Sequence, residues 1–165
     1  AAWFVDSVRL VDGPDAEIAA LGGLDTKTVA VVDKPFASLV ENVAPAADSA
    51  ARIAMTEYRV NLQRYEYTAA APGVAVFSEI YYPKGWTAYL DGVEAPYFRA
   101  DYVLRAMVLP AGTHTVEFRF RAPHYELLSS LTLISSLLLL GGVAAVAGAA
   151  GYRAYKKRKD NDGQQ

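Results

Sequence analysis

An uncharged segment near the carboxyl terminus constrains this chain more than any other feature. Residues 127–152 contain no Asp, Glu, Lys or Arg, and a basic cluster follows them: Arg153, Lys156, Lys157, Arg158 and Lys159. A helix of this length covers about 39 Å, more than the ~30 Å hydrocarbon core of a bilayer. Lys and Arg close to a span favour the cytoplasmic side. The sequence therefore predicts a transmembrane helix over residues 125–152, a basic cytoplasmic tail over 153–165, and an extracytoplasmic location for the rest.

Composition narrows the classes of function open to the extracytoplasmic part. Residues 1–126 carry 11 Lys and Arg against 16 Asp and Glu, a net charge of −5. An acidic domain lacks the basic surface that binds phosphate backbones, so we expect no nucleic-acid partner. The chain has no cysteine, which excludes disulfides, thiolate metal sites and thiol nucleophiles. We predict no metal site and no cofactor.

The predicted membrane helix also indicates its own partners. Its second half is built almost entirely of Gly and Ala, and the pairs Ala144/Gly148 and Ala147/Gly151 have the spacing that lets helix backbones approach closely. This favours packing against other transmembrane helices, from an upstream part of the chain or from a dimer partner. The alternative is that Ala and Gly are simply common in membrane helices.

An extracytoplasmic domain that precedes its span must be exported. The chain begins Ala1-Ala2-Trp3, with neither an initiator Met nor a signal peptide. Either a signal was removed or an upstream membrane part precedes these residues. The small-residue helix favours the second alternative, in which this sequence is the carboxyl-terminal part of a longer protein.

The patterning of the extracytoplasmic part predicts two regions. Residues 3–11 indicate a strand, 15–21 a short helix ended by two glycines, and 28–32 a buried strand. Together they predict a small β-α-β appendage and linker over residues 1–49. Residues 50–124 alternate apolar and polar side chains with frequent turns, which predicts an antiparallel, jelly-roll-like β-sandwich. Its candidate strands are 52–60, 62–69, 73–81, 86–90, 97–100, 103–109 and 113–121.

Aromatic residues around the Pro83-Lys84-Gly85 turn are the strongest candidates for a binding site. Sugar rings pack their C–H faces on aromatic rings, and nearby polar groups bind the hydroxyls. We therefore predict a carbohydrate-binding platform, although the same rings could form core or interface, since aromatics bury ~150–250 Å² each. The platform residues are Tyr81, Tyr82, Trp86 and Tyr89.

Two charged residues interrupt otherwise apolar strands. Glu79 lies in Val-Phe-Ser-Glu-Ile and Arg105 in Val-Leu-Arg-Ala-Met. A charge in such a position is costly unless it is paired. We predict a structural ion pair between Glu79 and Arg105, or between these residues and Asp101 and Arg99 on neighbouring strands. The two histidines, His114 and His124, lack the neighbours of a catalytic triad, and we predict no catalytic residue in this chain.

Several blocks of the chain resemble the carboxyl-terminal extracytoplasmic region of the bacterial YfhO-family membrane proteins. The longest is Phe-Ser-Glu-Ile-Tyr-Tyr-Pro-Lys-Gly-Trp at residues 77–86, followed by Asp-Gly at 91–92, Tyr-Val-Leu-Arg-Ala at 102–106 and Pro-Ala-Gly-Thr-His at 110–114. The segment that precedes that region in the family is also similar to two parts of this chain, Trp3-Phe4-Val5-Asp6 and the Asp33-Lys34 segment.

This resemblance implies a large polytopic protein of the bacterial cytoplasmic membrane, similar to GT-C-type glycosyltransferases that use lipid-linked sugars. The catalytic carboxylate of such enzymes lies in an amino-terminal membrane region, so none is assigned here. The implied partners are membrane lipid, the missing transmembrane helices, and a lipid-linked sugar or envelope glycan. Residues 1–165 would be a non-catalytic accessory domain with the last membrane span, and the domain would position an acceptor or act as a scaffold. The alternative is a single-span module whose sandwich binds carbohydrate or protein.

Overall fold

The computed structural model describes residues 1–43, 48, 50–123 and 125–162. The chain divides into two compact units, Ala1–Arg121 and Ala122–Gln165. Two short helices, α1 (Pro14–Leu21) and α2 (Ala37–Val40), belong to the first unit, and α3 (Tyr125–Asp162) to the second. The described strands all lie in the first unit: β1 (Ala2–Val5), β2 (Ser7–Val11), β3 (Val29–Asp33), β4 (Arg52–Arg59), β5 (Leu62–Ala69), β6 (Gly73–Ile80), β7 (Trp86–Leu90), β8 (Val93–Ala95), β9 (Phe98–Ala100), β10 (Leu104–Leu109) and β11 (Gly112–Phe120).

Two antiparallel sheets pack face to face in the first unit. One has the strand order β1-β6-β10-β9 and the other β4-β5-β11-β7-β8. Side chains at alternate positions of each strand point into the space between the sheets, which places Tyr65, Tyr67, Phe77, Met107 and Phe118 in one apolar core. The mainly β fold and the antiparallel β-sandwich predicted from the sequence are confirmed.

The four-stranded sheet is covered on its other face as well. Strands β2 and β3 pair in parallel, and α1 connects them, which confirms the small amino-terminal β-α-β. A second apolar core lies between this unit and the sheet and includes Val5, Val32, Val74 and Phe98. Because β6 is covered on both faces, its residues Gly73–Phe77 form an unbroken buried run.

The amino-terminal strand differs from its prediction. Residues 3–11 form two strands that separate at Asp6, and only the second belongs to the β-α-β unit. The first, β1, pairs with β6 and extends the sandwich. The structure accordingly groups Ala1–Arg121 as one compact unit instead of dividing it after residue 49. Residues 44–47 and 49, beside that predicted boundary, lie outside the described residues.

The predicted strands of the sandwich correspond to β4–β7 and β9–β11, with ends that differ by at most one residue. Strand β8 was not predicted, because three residues directly after the Asp91-Gly92 turn are too few to show an alternating pattern. It pairs with β7 at the edge of the five-stranded sheet.

The second unit is dominated by one long helix. Within α3, Ser130–Ala149 is long and apolar enough to cross a bilayer, with a mean hydropathy of 2.1. The backbone of Arg153, Lys156, Lys157, Arg158 and Lys159 continues the same helix. His124, just before the helix, lies outside the described residues.

The end of the sandwich at which β11 finishes is called the exit end below. It consists of the β4–β5 turn (59–61), the β6–β7 loop (81–85), the β9–β10 turn (101–103) and the end of β11 (120–121). Backbone hydrogen bonds join these segments: Phe120 N donates to Asn61 O at 2.9 Å, Arg121 N to Gly85 O at 2.8 Å, and Tyr81 N to Val103 O at 2.7 Å.

Candidate functional site

A buried arginine lies inside the sandwich near the exit end. Arg105 stands on β10 opposite Phe77, an inward-facing residue, so its side chain enters the space between the sheets. Its Nη1 donates to Gln63 Oε1 on the five-stranded sheet at 3.0 Å, and its Nε donates to Ile80 O at 2.9 Å. The guanidinium thus connects the two sheets through hydrogen bonds.

Aromatic rings enclose the same guanidinium. Its carbon lies 4.3 Å from the centre of the Trp86 ring and 5.1 Å from that of Phe118. Contacts of this kind stabilise a cation that has lost its water. Burial lowers the pKa of Arg105 below its usual value, but an arginine starts so high that it stays charged at neutral pH.

The ion pair predicted between Glu79 and Arg105 is not formed in the part of the chain that the structure describes. A bulge between Leu104 and Arg105 shifts the pairing of β10 with β6, so Arg105 stands opposite Phe77 and turns away toward Gln63. Glu79 is half-buried and still close enough for its charge to raise the pKa of Arg105.

The alternative partners named for this pair bind elsewhere. Arg99 Nη2 donates to Glu17 Oε2 at 2.9 Å and to Asp33 Oδ2 at 3.3 Å. Asp101 Oδ1 accepts from Val31 N at 2.8 Å. These bonds connect β9 to the β-α-β unit and leave both residues with partners other than Glu79 and Arg105.

The four predicted platform residues are divided between two faces. Trp86 points into the sandwich, whereas Tyr89 lies on the outer face of the five-stranded sheet, 4.4 Å from the Arg119 guanidinium carbon. The two positions are an odd number of residues apart in one strand, so they cannot share a face. Tyr89 is therefore separated from the other three, and the platform as predicted is not assembled.

The other three residues lie in or directly beside the β6–β7 loop of the exit end. The Tyr81 ring lies 5.4 Å from that of Tyr97, and the Trp86 ring 5.4 Å from that of Phe120. Trp86 is half-buried between Phe120 and the Arg105 guanidinium, so its faces are largely occupied. Tyr82 has a side chain that is open to a ligand, being 51% exposed.

Tyr97 holds this group together. Its hydroxyl lies 3.3 Å from Tyr82 O and 3.2 Å from Trp86 O, so it can donate to either carbonyl across the β6–β7 loop. Burial raises the pKa of the Tyr97 phenol, which keeps its proton available for donation. The loop that carries the exposed Tyr82 is thereby attached to the core.

Sequence reasoning missed Gln63, the hydrogen-bond partner of Arg105. The signal was present, because Gln63 occupies the inward-facing register of β5 shared by Tyr65, Tyr67 and Ala69. A polar residue in a core position needs a partner. The identity of that partner depends on how the two sheets pack, which strand patterning does not give.

A second buried polar cluster supports the β9–β10 turn. Glu17 is fully buried, and its Oε1 accepts from Tyr102 N at 2.8 Å. Burial raises the pKa of Asp101, and the charge of Glu17 adds to that effect. Asp101 and Tyr102 both have positive φ angles, 49° and 69°. The cluster therefore fixes a strained turn and attaches the β-α-β unit to the sandwich.

The exit end presents aromatic rings, aliphatic side chains and the cations Lys84 and Arg121 around the buried Arg105 guanidinium. His114 is remote from them, bonded to Asp91 on the β7–β8 turn. Over the described residues, no group of three or more His, Cys, Asp or Glu is placed to hold a metal ion.

Family models, curated proteins and solved structures were compared with this chain, and none of them matches it. The resemblance seen in residues 77–86 therefore stays a prediction.

Proposed function

We propose that this chain is the extracytoplasmic accessory domain and last membrane span of a bacterial envelope-glycosylation protein similar to the YfhO family. The observation that carries the proposal is the order of elements. The last strand of the sandwich, β11, ends at Phe120, and the chain then enters α3, whose Ser130–Ala149 segment can cross a bilayer. The binding groups of the sandwich thus lie at the end from which the chain continues toward the span.

The domain has a non-catalytic role in this proposal. The exit end supplies exposed Tyr82 and half-buried Tyr81, which suit recognition of a glycan near the membrane, and buried Arg105 supports their loop from inside the sandwich. Catalysis on a lipid-linked sugar would lie in the upstream membrane region that the resemblance implies. The small residues of α3, Ala144, Ala147, Gly148 and Gly151, would pack against the helices of that region.

The basic residues after the span support one orientation. With Arg153 and the four following Lys and Arg residues on the cytoplasmic side, the sandwich faces away from the cytoplasm. In this proposal the domain lies outside the cytoplasmic membrane of a bacterium, where envelope glycans are assembled.

A second candidate is a single-span module that binds carbohydrate or protein by itself. The exposed Tyr82 beside Tyr81 favours it, because an open ring next to a polar surface is typical of sugar-binding sites. Both candidates use the same residues. They differ in whether the chain acts alone or together with a larger membrane protein.

Glycan binding by the whole chain in lipid nanodiscs tests the recognition role. The ligands are a panel of envelope glycans and polyprenyl-phosphate sugars, and the probes are isotope-labelled isoleucine methyl groups. Ile80 adjoins the site, and Ile18 on α1 is an exposed probe remote from it. We expect saturable shifts of the Ile80 methyl signals with little change at Ile18.

Two tyrosine variants separate specific binding from surface adsorption. Tyr82→Ala removes the open ring at the exit end and should abolish the shifts. Tyr89→Ala removes a ring on the opposite face of β7 and should leave them unchanged. A folded chain that binds nothing in the panel, or binding that depends on Tyr89, would contradict acceptor positioning and leave a scaffolding role.

A further inference from the structure

Most of the exposed large apolar side chains of the first unit lie in the exit end or on the strand residues next to it, Tyr58 and Ile80. Among the described residues of Ala1–Arg121, the only others are Leu10, Ile18 and Val93. The exposed fractions of these side chains reach 91% at Val60 and 70% at Ile80. The six side chains concerned are Tyr58, Val60, Ile80, Tyr82, Tyr102 and Val103.

Neither apolar core of the first unit includes these six side chains. Val60 lies in the β4–β5 turn, Ile80 at the end of β6, and Val103 in the β9–β10 turn, so three separate chain segments present them on one end. Scattered apolar residues are normal on a protein surface, but a concentration on one end marks a contact surface.

Cations accompany the apolar side chains. A cleft of about 310 Å³ is lined by Arg59, Leu62, Phe120 and Arg121 together with Asn61 and Arg119. Arg59 pairs with Glu57, and Arg119 with Glu117. Arg121 and Lys84 are exposed and form no ion pair in the described part of the chain. Exposed cations beside tyrosines and aliphatic residues match the composition of membrane interfaces, where rings lie at headgroup depth and cations meet phosphates.

The short connection between the sandwich and α3 indicates what this surface contacts. Residues 122–124 separate Arg121 from the first residue of α3, and an extended linker of that size reaches at most about 14 Å. Five further helical residues, about 7.5 Å of helix, lie between Tyr125 and the first residue of the apolar segment, Ser130, so the connection limits how far Arg121 can be from a bilayer that α3 crosses. An end that is apolar, aromatic and basic is the surface suited to meet it.

We propose that the exit end docks on the lipid headgroup region of the bilayer, with Val60, Ile80 and Tyr82 inserted and Lys84 and Arg121 at the phosphates. The inference rests on the proposed membrane anchoring by α3 and goes beyond it, because a tethered domain need not touch lipid. Docking would hold the Tyr81–Tyr82 loop at the depth where the headgroup of a lipid-linked sugar lies.

Spin labels on the full chain in nanodiscs test this directly, since the native sequence has no cysteine to remove. Val60→Cys places a label on the exit end, and Val93→Cys places one at the start of β8, where the native valine is 71% exposed. The ratio of oxygen to water-soluble nickel accessibility reports immersion in lipid. We expect a ratio several-fold higher for the Val60→Cys label than for the Val93→Cys label.

A third label keeps the two proposals distinguishable. Leu138→Cys lies in the apolar segment of α3 and should show high oxygen accessibility if the helix is inserted. With Leu138→Cys in lipid, a Val60→Cys label as nickel-accessible as Val93→Cys overturns docking and leaves anchoring intact. A Leu138→Cys label in water overturns both proposals.

Charge variants test the cationic part of the surface. In nanodiscs that contain anionic lipid, Arg121→Gln should lower the oxygen-to-nickel ratio of the Val60→Cys label, and adding Lys84→Gln should lower it further. Arg9→Gln, a change of an exposed arginine on β2, is the matched control and should have no effect. Equal effects from the two sets would contradict a local contact with phosphates.

Discussion

The guanidinium carbon of Arg105 lies 4.3 Å from the centre of the Trp86 ring, inside a β-sandwich whose other inward side chains are mostly apolar. This contact joins β10 of one sheet to β7 of the other. It also fixes the residue at which the β6–β7 loop, with its exposed Tyr82, returns to the core. The stability of the sandwich and the geometry of the candidate site therefore depend on the same arginine.

Replacing Arg105 by Met should destabilise the domain. Arg105→Met keeps most of the side-chain length but leaves Gln63 Oε1 and Ile80 O without their donor. A buried acceptor without a partner costs about 1–3 kcal/mol, so we expect the free energy of unfolding to fall by about 2 kcal/mol. Urea denaturation monitored by tryptophan fluorescence measures the change.

A double variant gives the matched control. Arg105→Met with Gln63→Leu removes donor and acceptor together, so it should be more stable than Arg105→Met alone. Additive losses from the two substitutions would show that the Arg105–Gln63 bond is not the source of the effect.

The side-chain contact between His114 and Asp91, called the clamp here, should make the stability of the folded domain depend on pH. His114 Nδ1 lies 2.6 Å from Asp91 Oδ2, and its Nε2 lies 3.0 Å from Ala111 O. Both ring nitrogens face acceptors, an arrangement that the protonated ring satisfies. The bond to Asp91 raises the pKa of His114 above its ordinary 6.5. The Thr115 backbone amide and His114 lower the pKa of Asp91 below its ordinary 3.8.

The signs of these two shifts define the pH window. The His114 contribution is complete below pH 6.5 and disappears as the pH rises through the higher pKa of the folded state. The Asp91 contribution is complete above pH 3.8 and disappears as the pH falls. Thermal unfolding should therefore show the largest excess of wild type over Asp91→Asn between these values. An excess that keeps growing above neutral pH would contradict the clamp.

Gly85 should tolerate alanine less well than Gly23 does. Both have positive φ angles, 102° and 86°, but a Cβ on Gly85 would lie 2.7 Å from Arg121 O, whereas one on Gly23 would meet open space. Backbone strain costs about 1 kcal/mol at either position, and the clash at Gly85 adds about as much again or more. Urea denaturation of the two variants gives the comparison. Equal losses would indicate that the loop can move away from β11.

Alternation along the strands predicted most of the sandwich. In β11, Val116 and Phe118 face the core while Glu117 and Arg119 face outward, as their order in the sequence requires. The same rule separates Trp86 from Tyr89, so the parity of the two positions already argued against a single platform. Local patterning is sufficient here because a strand has only two faces.

The register between strands and the packing of one sheet on the other could not be predicted from the sequence. The bulge beside Arg105 changes which residue stands opposite it, and no local signal marks the bulge. Likewise, Glu17 and Arg99 are 82 residues apart, and their bond depends on where the β-α-β unit packs. The candidate site is made mostly of such long-range contacts. This explains why Trp86 and Arg105 were predicted as site residues, whereas the partner of Arg105, Gln63, was not.

The most direct test of the account is the side of the membrane on which the sandwich lies. In intact bacterial cells that express the chain behind an export signal or its upstream membrane part, a membrane-impermeant maleimide should label Val93→Cys, at the start of β8. It should label Gln164→Cys, in the basic tail, only after the cells are permeabilised. The reverse pattern, or labelling of both positions in intact cells, would contradict a membrane-anchored extracytoplasmic domain.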